Sequence, residues 1–255
     1  MSSDLATHVT TTSDTILGGR VQLRQPQRGH RVGHDAVLLA AAVPAQPDDR
    51  VLDLGAGVGS AAFCLAARVA VGYLTLVEFD PDLAALAEAN AVANGLENRT
   101  RVIVADVRAR GAMRERAGLL LGQIDRVMTN PPFHDEGRHQ GSPSEAKRLA
   151  HKADEGLLSA FMRTANAVLK PGGTVTLIHR ADRPHTVIAA MSGRFGGLTI
   201  RPIHPRPESA AIRLIVTGTK GSRAPVSILP SLVLSDAEGR PSEEAEAILR
   251  GGVAL

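Results

Sequence analysis

Apolar positions along this chain fall into short runs separated by longer stretches of helical period. The runs, rich in valine, isoleucine and leucine, predict buried strands at residues 50–54, 73–77, 102–105, 124–128, 174–178, 198–203 and 212–217. Helical patterns occupy 60–71, 81–94, the region around 113–121, 155–169 and 184–192. Residues 35–43 (DAVLLAAAV) read as a short helix that Asp35 caps and Pro44 stops, preceded by a mobile start. Residues 242–250 read as a terminal helix, and 134–152, polar with Gly137, Gly141 and Pro143, as a mobile loop that orders over substrate. Parallel strands need long crossovers, so strands alternating with helices predict an α/β fold: a mostly parallel sheet with helices on both faces. Only the short loop 205–211 separates the last two runs, which can pair as an antiparallel hairpin at the sheet's end.

Composition narrows the function classes. The chain has 255 residues, 44% of them apolar, with no run long enough to span a membrane and no signal-peptide pattern in residues 1–15. Neither secretion nor a membrane partner is expected. Cys64 is the single cysteine, which excludes an intrachain disulfide and a cysteine-built zinc site and suits a reducing cytoplasm. It sits among Ala61, Ala62, Leu65 and Ala66, an apolar setting that makes a poor nucleophile. His134, His139 and His151 lack a compact ligand spacing, so no metal is expected. A net charge of +3 is uninformative, but its distribution is not. Arg20, Arg24, Arg28 and Arg31 lie in an acid-free stretch, and Arg194, Arg201, Arg206, Arg213, Lys220 and Arg223 are opposed only by Glu208. Together they make a candidate phosphate-facing surface; each alone also fits solvated surface.

The chemistry begins after the first strand. Val51-Leu52-Asp53-Leu54 runs into Gly55-Ala56-Gly57-Val58-Gly59 and then a helix. Ligands of open α/β sheets bind at strand carboxyl ends, where glycine lets the backbone approach. The spacing lacks the last glycine of the dinucleotide fingerprint. The next strand ends in Glu78, nineteen residues after Gly59, where a carboxylate can accept both hydroxyls of a ribose. Phe79 follows it; Asp80 is better placed to cap the helix from Pro81. The third strand ends at Asp106, an acceptor for an adenine amino group, with Val107 offering its N–H. Acids at three successive strand ends point to an adenosine-containing ligand with a free ribose diol; this fits NAD and S-adenosylmethionine alike.

The fourth strand separates the two. It ends Thr129-Asn130-Pro131-Pro132-Phe133. The prolines restrict the backbone, so the Asn130 amide oxygen and the Pro131 carbonyl can both accept from one NH2 group while Phe133 packs on a flat substrate. That arrangement suits methyl transfer to an amino nitrogen. No hydride-transfer acid–base residue stands out.

The glycine turn, Glu78 and Asn130-Pro131-Pro132-Phe133 resemble the class I amino-methyltransferases that modify adenine N6 or glutamine. With Gln25-Pro26 and Gly33-His34-Asp35-Ala36-Val37-Leu38-Leu39, the chain is similar to the bacterial tRNA(Val) adenine-N6 methyltransferases. The resemblance runs from about Leu17 to Lys220. It implies the Rossmann-like methyltransferase fold, seven strands with the last reversed, and S-adenosylmethionine as cofactor. It implies a cofactor site of Gly33, Asp35, Asp53, Gly55, Ala56, Gly57, Gly59, Glu78, Phe79, Asp106, Val107 and Asn130. Asn130, Pro131, Pro132 and Phe133 would bind the target, and Gly33 to Leu38 would cover the methionine end. His34 stands where many relatives carry threonine. The implied organisation is an N-terminal segment and short helix (1–48), a methyltransferase domain (49–220) and a C-terminal extension packed on it (221–255). RNA, tRNA above all, is the implied partner. Five phenylalanines, one tyrosine and no tryptophan leave few stacking platforms, so RNA recognition would rest on arginine and shape. A glutamine-N5 protein methyltransferase and a non-catalytic nucleic-acid-binding module are the alternatives.

Overall fold

The computed structural model describes residues 10–27, 32–109, 111–132 and 143–255, the side chains of 143–154 excepted. A hairpin of β1 (Thr11–Ile16) and β2 (Val21–Pro26) precedes α1 (His34–Ala42). The main body follows as β3 (Arg50–Leu54), α2 (Ser60–Ala66), β4 (Tyr73–Glu78), α3 (Pro81–Ala93), β5 (Thr100–Val104), α4 (Gly111–Arg116) and β6 (Ile124–Thr129). It continues through α5 (Pro143–Val168), β7 (Leu169–Arg180), α6 (Pro184–Met191), β8 (Phe195–His204) and β9 (Arg213–Lys220). Two-residue strands β10 (Ser227–Ile228) and β11 (Leu232–Val233) and helix α7 (Glu243–Leu249) complete it.

The sheet order is β10-β8-β9-β7-β6-β3-β4-β5, with β11 also paired to β8. All pairings are parallel except those of β9, which lies antiparallel between β7 and β8. This is the expected α/β fold with its last long strand reversed. The short β10 and β11 add two strands to the expected seven. Both sheet faces are buried, which is why the strands read as continuous apolar runs. Val51 of β3 joins Leu38, Phe63 and Leu74 in one core, and Leu52 and Leu54 join Phe161, Leu177 and Val216 in the other. Because β3 to β8 run the same way, their carboxyl ends share one edge.

Two expectations about elements are corrected. The supposed mobile start holds the β1–β2 hairpin, whose Val21, Leu23 and Gln25 alternate inward at period two around a turn with Gly18 and Gly19 at positive φ. Residues 143–152, expected in a loop, lie in α5: Pro143 is its first residue, where a missing N–H costs nothing, and Glu145, Ala146, Lys147 and Arg148 favour helix. Residues 134–142 of that loop lie outside the described residues.

The second basic stretch is not one surface. Phe195 pairs with Lys220 and Ile203 with Arg213, so Arg206 and Arg213 lie at the carboxyl edge of the sheet while Arg194, Lys220 and Arg223 lie at the opposite edge. Lys220 Nζ donates to the carbonyls of Asn166 and Leu169, Arg194 to that of Ala190 and Arg201 to that of Pro230. In the first stretch Arg20 donates to the carbonyls of Gly251 and Ala67, tying down the C-terminal segment. These donors are spent on main chain rather than offered to phosphate. Arg24, Arg206 and Arg223 make no side-chain hydrogen bond or ion pair with a described residue; Arg28 and Arg31 lie outside the described residues.

Candidate active site

The glycine turn leaves β3 and enters α2, and its three glycines meet different demands. Gly55, Gly57 and Gly59 all have positive φ, of 72, 55 and 85°. A Cβ on Gly59 would come within 2.4 Å of the Phe63 ring, and one on Gly55 within 3.1 Å of Phe161, whereas at Gly57 nothing lies within 4 Å. Packing therefore excludes a Cβ at Gly59 and crowds one at Gly55. The open space is over Gly57, where a ligand can approach the backbone.

Glu78 at the end of β4 closes on this turn. One carboxylate oxygen accepts the Gly57 N–H at 2.7 Å and the other the N–H groups of Phe79 and Asp80 at 2.8 and 3.0 Å. A carboxylate has about four acceptor positions, so capacity is left on the oxygen facing Gly57 for a ribose hydroxyl. Asp80 caps α3 through the N–H groups of Asp82 and Leu83, as expected. Asp53 is buried on β3 and its carboxyl accepts from the Ala62 N–H in the first turn of α2; burial, and then the Glu78 carboxylate, push its pKa up to about 7. The Phe79 ring is 63% exposed beside the turn, an available stacking face.

Asp106 is already engaged. Its carboxylate accepts from the Arg108 backbone N–H at 2.8 Å and from the Arg108 guanidinium at 3.0 Å, which holds its pKa below the usual range. The same guanidinium lies 5.9 Å from the Phe79 ring centroid. An adenine placed here has to share Asp106 with Arg108. The Val107 side chain is buried, and its carbonyl accepts from Thr164 and Arg114.

At the end of β6, Thr129 pairs in register with Leu54 and its hydroxyl donates to the Leu54 carbonyl at 2.7 Å. The next residues on the two strands, Asn130 and Gly55, are thereby neighbours. Asn130 Oδ1 is buried and has no hydrogen-bond partner among the described residues. An orphaned buried acceptor is costly, roughly 1–3 kcal/mol, and is expected where a ligand supplies the donor. Pro131 is buried and Pro132 exposed. Phe133 lies outside the described residues.

A family model described as the methyltransferase small domain matches residues 30–201. The chain belongs to that family. It is a methyltransferase, its cofactor is S-adenosylmethionine, and the open space at Gly57, the exposed Phe79 ring and the remaining acceptor capacity of Glu78 fit the adenosine part of that molecule. Among relatives, it is 29% identical over 221 residues to the tRNA1(Val) (adenine(37)-N6)-methyltransferase of Tolumonas auensis, covering 86% of this chain and 82% of the other. It is 32% identical over 143 residues to the release factor glutamine methyltransferase of Shewanella oneidensis, covering 54% of this chain and 47% of that one. A crystal structure of a predicted O-methyltransferase, Atu636 of Agrobacterium tumefaciens, matches with a TM-score of 0.74 at 33% identity, covering 87% of this chain and 98% of that one.

Elsewhere in this methyltransferase, Gly33 precedes α1 with extended backbone, and a Cβ there would meet nothing within 4 Å. Asp35 pairs with Arg213 of β9 at 2.8 Å, joining the start of α1 to the carboxyl edge of the sheet. Cys64 is buried, which pushes its thiol up to about 12 and leaves it inert. No helix among the described residues is long and apolar enough to cross a membrane. Two residues went unrecognised in the sequence. Arg108 follows Asp106 by two positions with nothing to distinguish it. Asn90, fully buried on α3, did leave a signal: with Asn94 it places two poor helix formers at an i,i+4 spacing in an alanine-rich helix.

Proposed function

We propose that this protein methylates an exocyclic amino nitrogen, that of adenine N6 in tRNA. The observation that carries the amino-group reading is the buried, unpartnered Oδ1 of Asn130 at the end of β6. S-adenosylmethionine supplies a methyl carbon made electrophilic by its sulfonium sulfur. Asn130 Oδ1 and the Pro131 carbonyl accept the two N–H bonds of the target, which draws the nitrogen lone pair out of conjugation and aims it at that carbon. The N–C bond forms as the S–C bond breaks, and the new ammonium nitrogen gives its proton to water, so no dedicated base is needed. Pro131 and Pro132 hold the acceptors in fixed directions, an orientational contribution rather than an acid–base one.

The tRNA acceptor is supported by the relative from Tolumonas auensis, whose alignment spans most of both chains. It implies a cytoplasmic location. The glutamine reading is kept because an amide NH2 offers Asn130 the same two hydrogens and because one relative is named for that reaction. Labelled S-adenosylmethionine incubated with tRNA from a strain lacking this protein should yield N6-methyladenosine; label in release factor but not in tRNA selects the glutamine reading. Asn130→Ala should lower turnover about 100-fold or more and leave cofactor affinity within a few-fold. Turnover unchanged in that variant would remove Asn130 from the reaction and with it the amino-group reading.

A further inference from the structure

Asn90 of α3 and Asn94, the residue that caps its carboxyl end, pair with the free edge of β2 as a neighbouring strand would. Asn90 accepts the Arg24 N–H at 2.7 Å and donates to the Arg24 carbonyl at 3.0 Å. Asn94 does the same with Gln22, at 2.9 and 2.8 Å. Each side-chain amide closes a ring with the N–H and C=O of a single residue, as antiparallel strands do. The spacings match: four residues advance about 6 Å along a helix and two residues about 6.7 Å along a strand. An isolated two-stranded hairpin is marginal in water, so this edge, with Val21 and Leu23 buried beneath it, docks β1–β2 on the body.

The two asparagines differ in their remaining donor. Asn94 returns it to the Asn90 carbonyl of its own helix at 2.7 Å, whereas Asn90 donates to the Val58 carbonyl in the glycine turn at 3.0 Å. Asn90 is 0% exposed with its acceptor and both donors in use. Val58 is thus held by Asn90 while its neighbour Gly57 is held by Glu78. Beyond β2, Gln25 accepts the Val32 N–H at 3.0 Å, which fixes the chain as it enters Gly33, His34 and Asp35.

We infer that Asn90 is a positioning residue for S-adenosylmethionine: it couples the docking of the N-terminal hairpin to the shape of the glycine turn. Among the described residues, the one side chain bonded to both is Asn90. By linkage, a ligand that orders the turn must then also hold the hairpin down, and a detached hairpin must weaken the ligand. This coupling depends on the cofactor alone and is indifferent to the methyl acceptor.

Three measurements on the full-length protein test it. Amide hydrogen exchange of residues 21–25 in the wild type should slow about tenfold or more on saturation with S-adenosylmethionine. Calorimetric affinity for the cofactor should fall about tenfold or more in Asn90→Ala but less than threefold in Asn94→Ala, which removes hairpin bonds and leaves the Val58 contact. Asn90→Asp, which keeps the acceptor for Arg24 and loses the donors, should behave as Asn90→Ala does and serves if the alanine variant fails to fold. The ligand should no longer slow hairpin exchange in either Asn90 variant. Cofactor-independent exchange in the wild type would overturn the proposal by itself, with no variant needed. So would equal losses of melting temperature in Asn90→Ala and Asn94→Ala with both affinities near that of the wild type, since Asn90 would then only stabilise the fold.

Discussion

Asp53 sets a pH dependence that can be worked out in advance. The residue is 3% exposed, and burial followed by the Glu78 carboxylate raises its pKa from 3.8 to about 7. The folded state therefore holds the proton more tightly than the unfolded chain. The stability this confers is complete below about pH 4 and is lost as pH rises through about 7, a total of about 4 kcal/mol. Between pH 5 and pH 8 the loss should be roughly 3 kcal/mol. Asp53→Asn preserves the shape and the acceptor for the Ala62 N–H but does not titrate. Urea unfolding of both proteins at pH 5 and pH 8 isolates the term, because every other titrating group is common to the two. The substituted protein should gain on the wild type by roughly 3 kcal/mol over that interval. A difference between the two proteins that is the same at both pH values would refute the reasoning. S-adenosylmethionine carries a net positive charge, so an ionised Asp53 beside it should strengthen binding: wild-type affinity is expected to fall on acidification through pH 7 and that of Asp53→Asn to stay flat.

Two further outcomes follow from the turn and from the spent arginines. Gly59→Ala should destabilise the fold by about 2–4 kcal/mol, from left-handed backbone and the clash with Phe63 and Leu76, whereas Gly57→Ala should cost about 1 kcal/mol yet reduce cofactor affinity tenfold or more. Thermal melts with calorimetry separate the two, and an unaltered affinity in Gly57→Ala would place the cofactor elsewhere. Arg20→Ala should speed hydrogen exchange in residues 250–255 and leave tRNA affinity unchanged, because its guanidinium holds the carbonyls of Gly251 and Ala67. A salt-dependent loss of tRNA binding in that variant would restore Arg20 to the phosphate-facing surface.

The sheet was legible because its strands are buried on both faces, so that Val51, Leu52 and Leu54 announce themselves without reference to their neighbours. The turn was legible because three alternating glycines directly after a strand mark positive-φ backbone, which Gly55, Gly57 and Gly59 all adopt. The hairpin was missed for the opposite reason. Gln22 and Arg24 alternate outward with Val21, Leu23 and Gln25 in a proper strand pattern, but the partner that holds their edge is a pair of helix side chains more than sixty residues away. The basic stretches misled for a related reason: adjacency in sequence is not adjacency on a surface when the residues belong to β8 and β9, whose ends lie at opposite edges. Arginine, moreover, is as good a donor to a carbonyl as to a phosphate.

The two halves of the site are joined by register rather than by motif spacing. Leu54 and Thr129 are paired across β3 and β6 and bonded a second time through the Thr129 hydroxyl. The backbone of the turn beginning at Gly55 is therefore held at a fixed offset from the backbone of Asn130 by main-chain hydrogen bonds. Methyl transfer needs three atoms in line, and an error of about an ångström in that offset would be costly. The rigid element in this geometry is the pair β3–β6. The adjustable ones are the glycine turn, which Glu78 and Asn90 hold from either side, and Arg108, which must share Asp106. Cofactor affinity should consequently respond to substitutions at Glu78, Asn90 and Arg108, and turnover to those at Thr129 and Asn130.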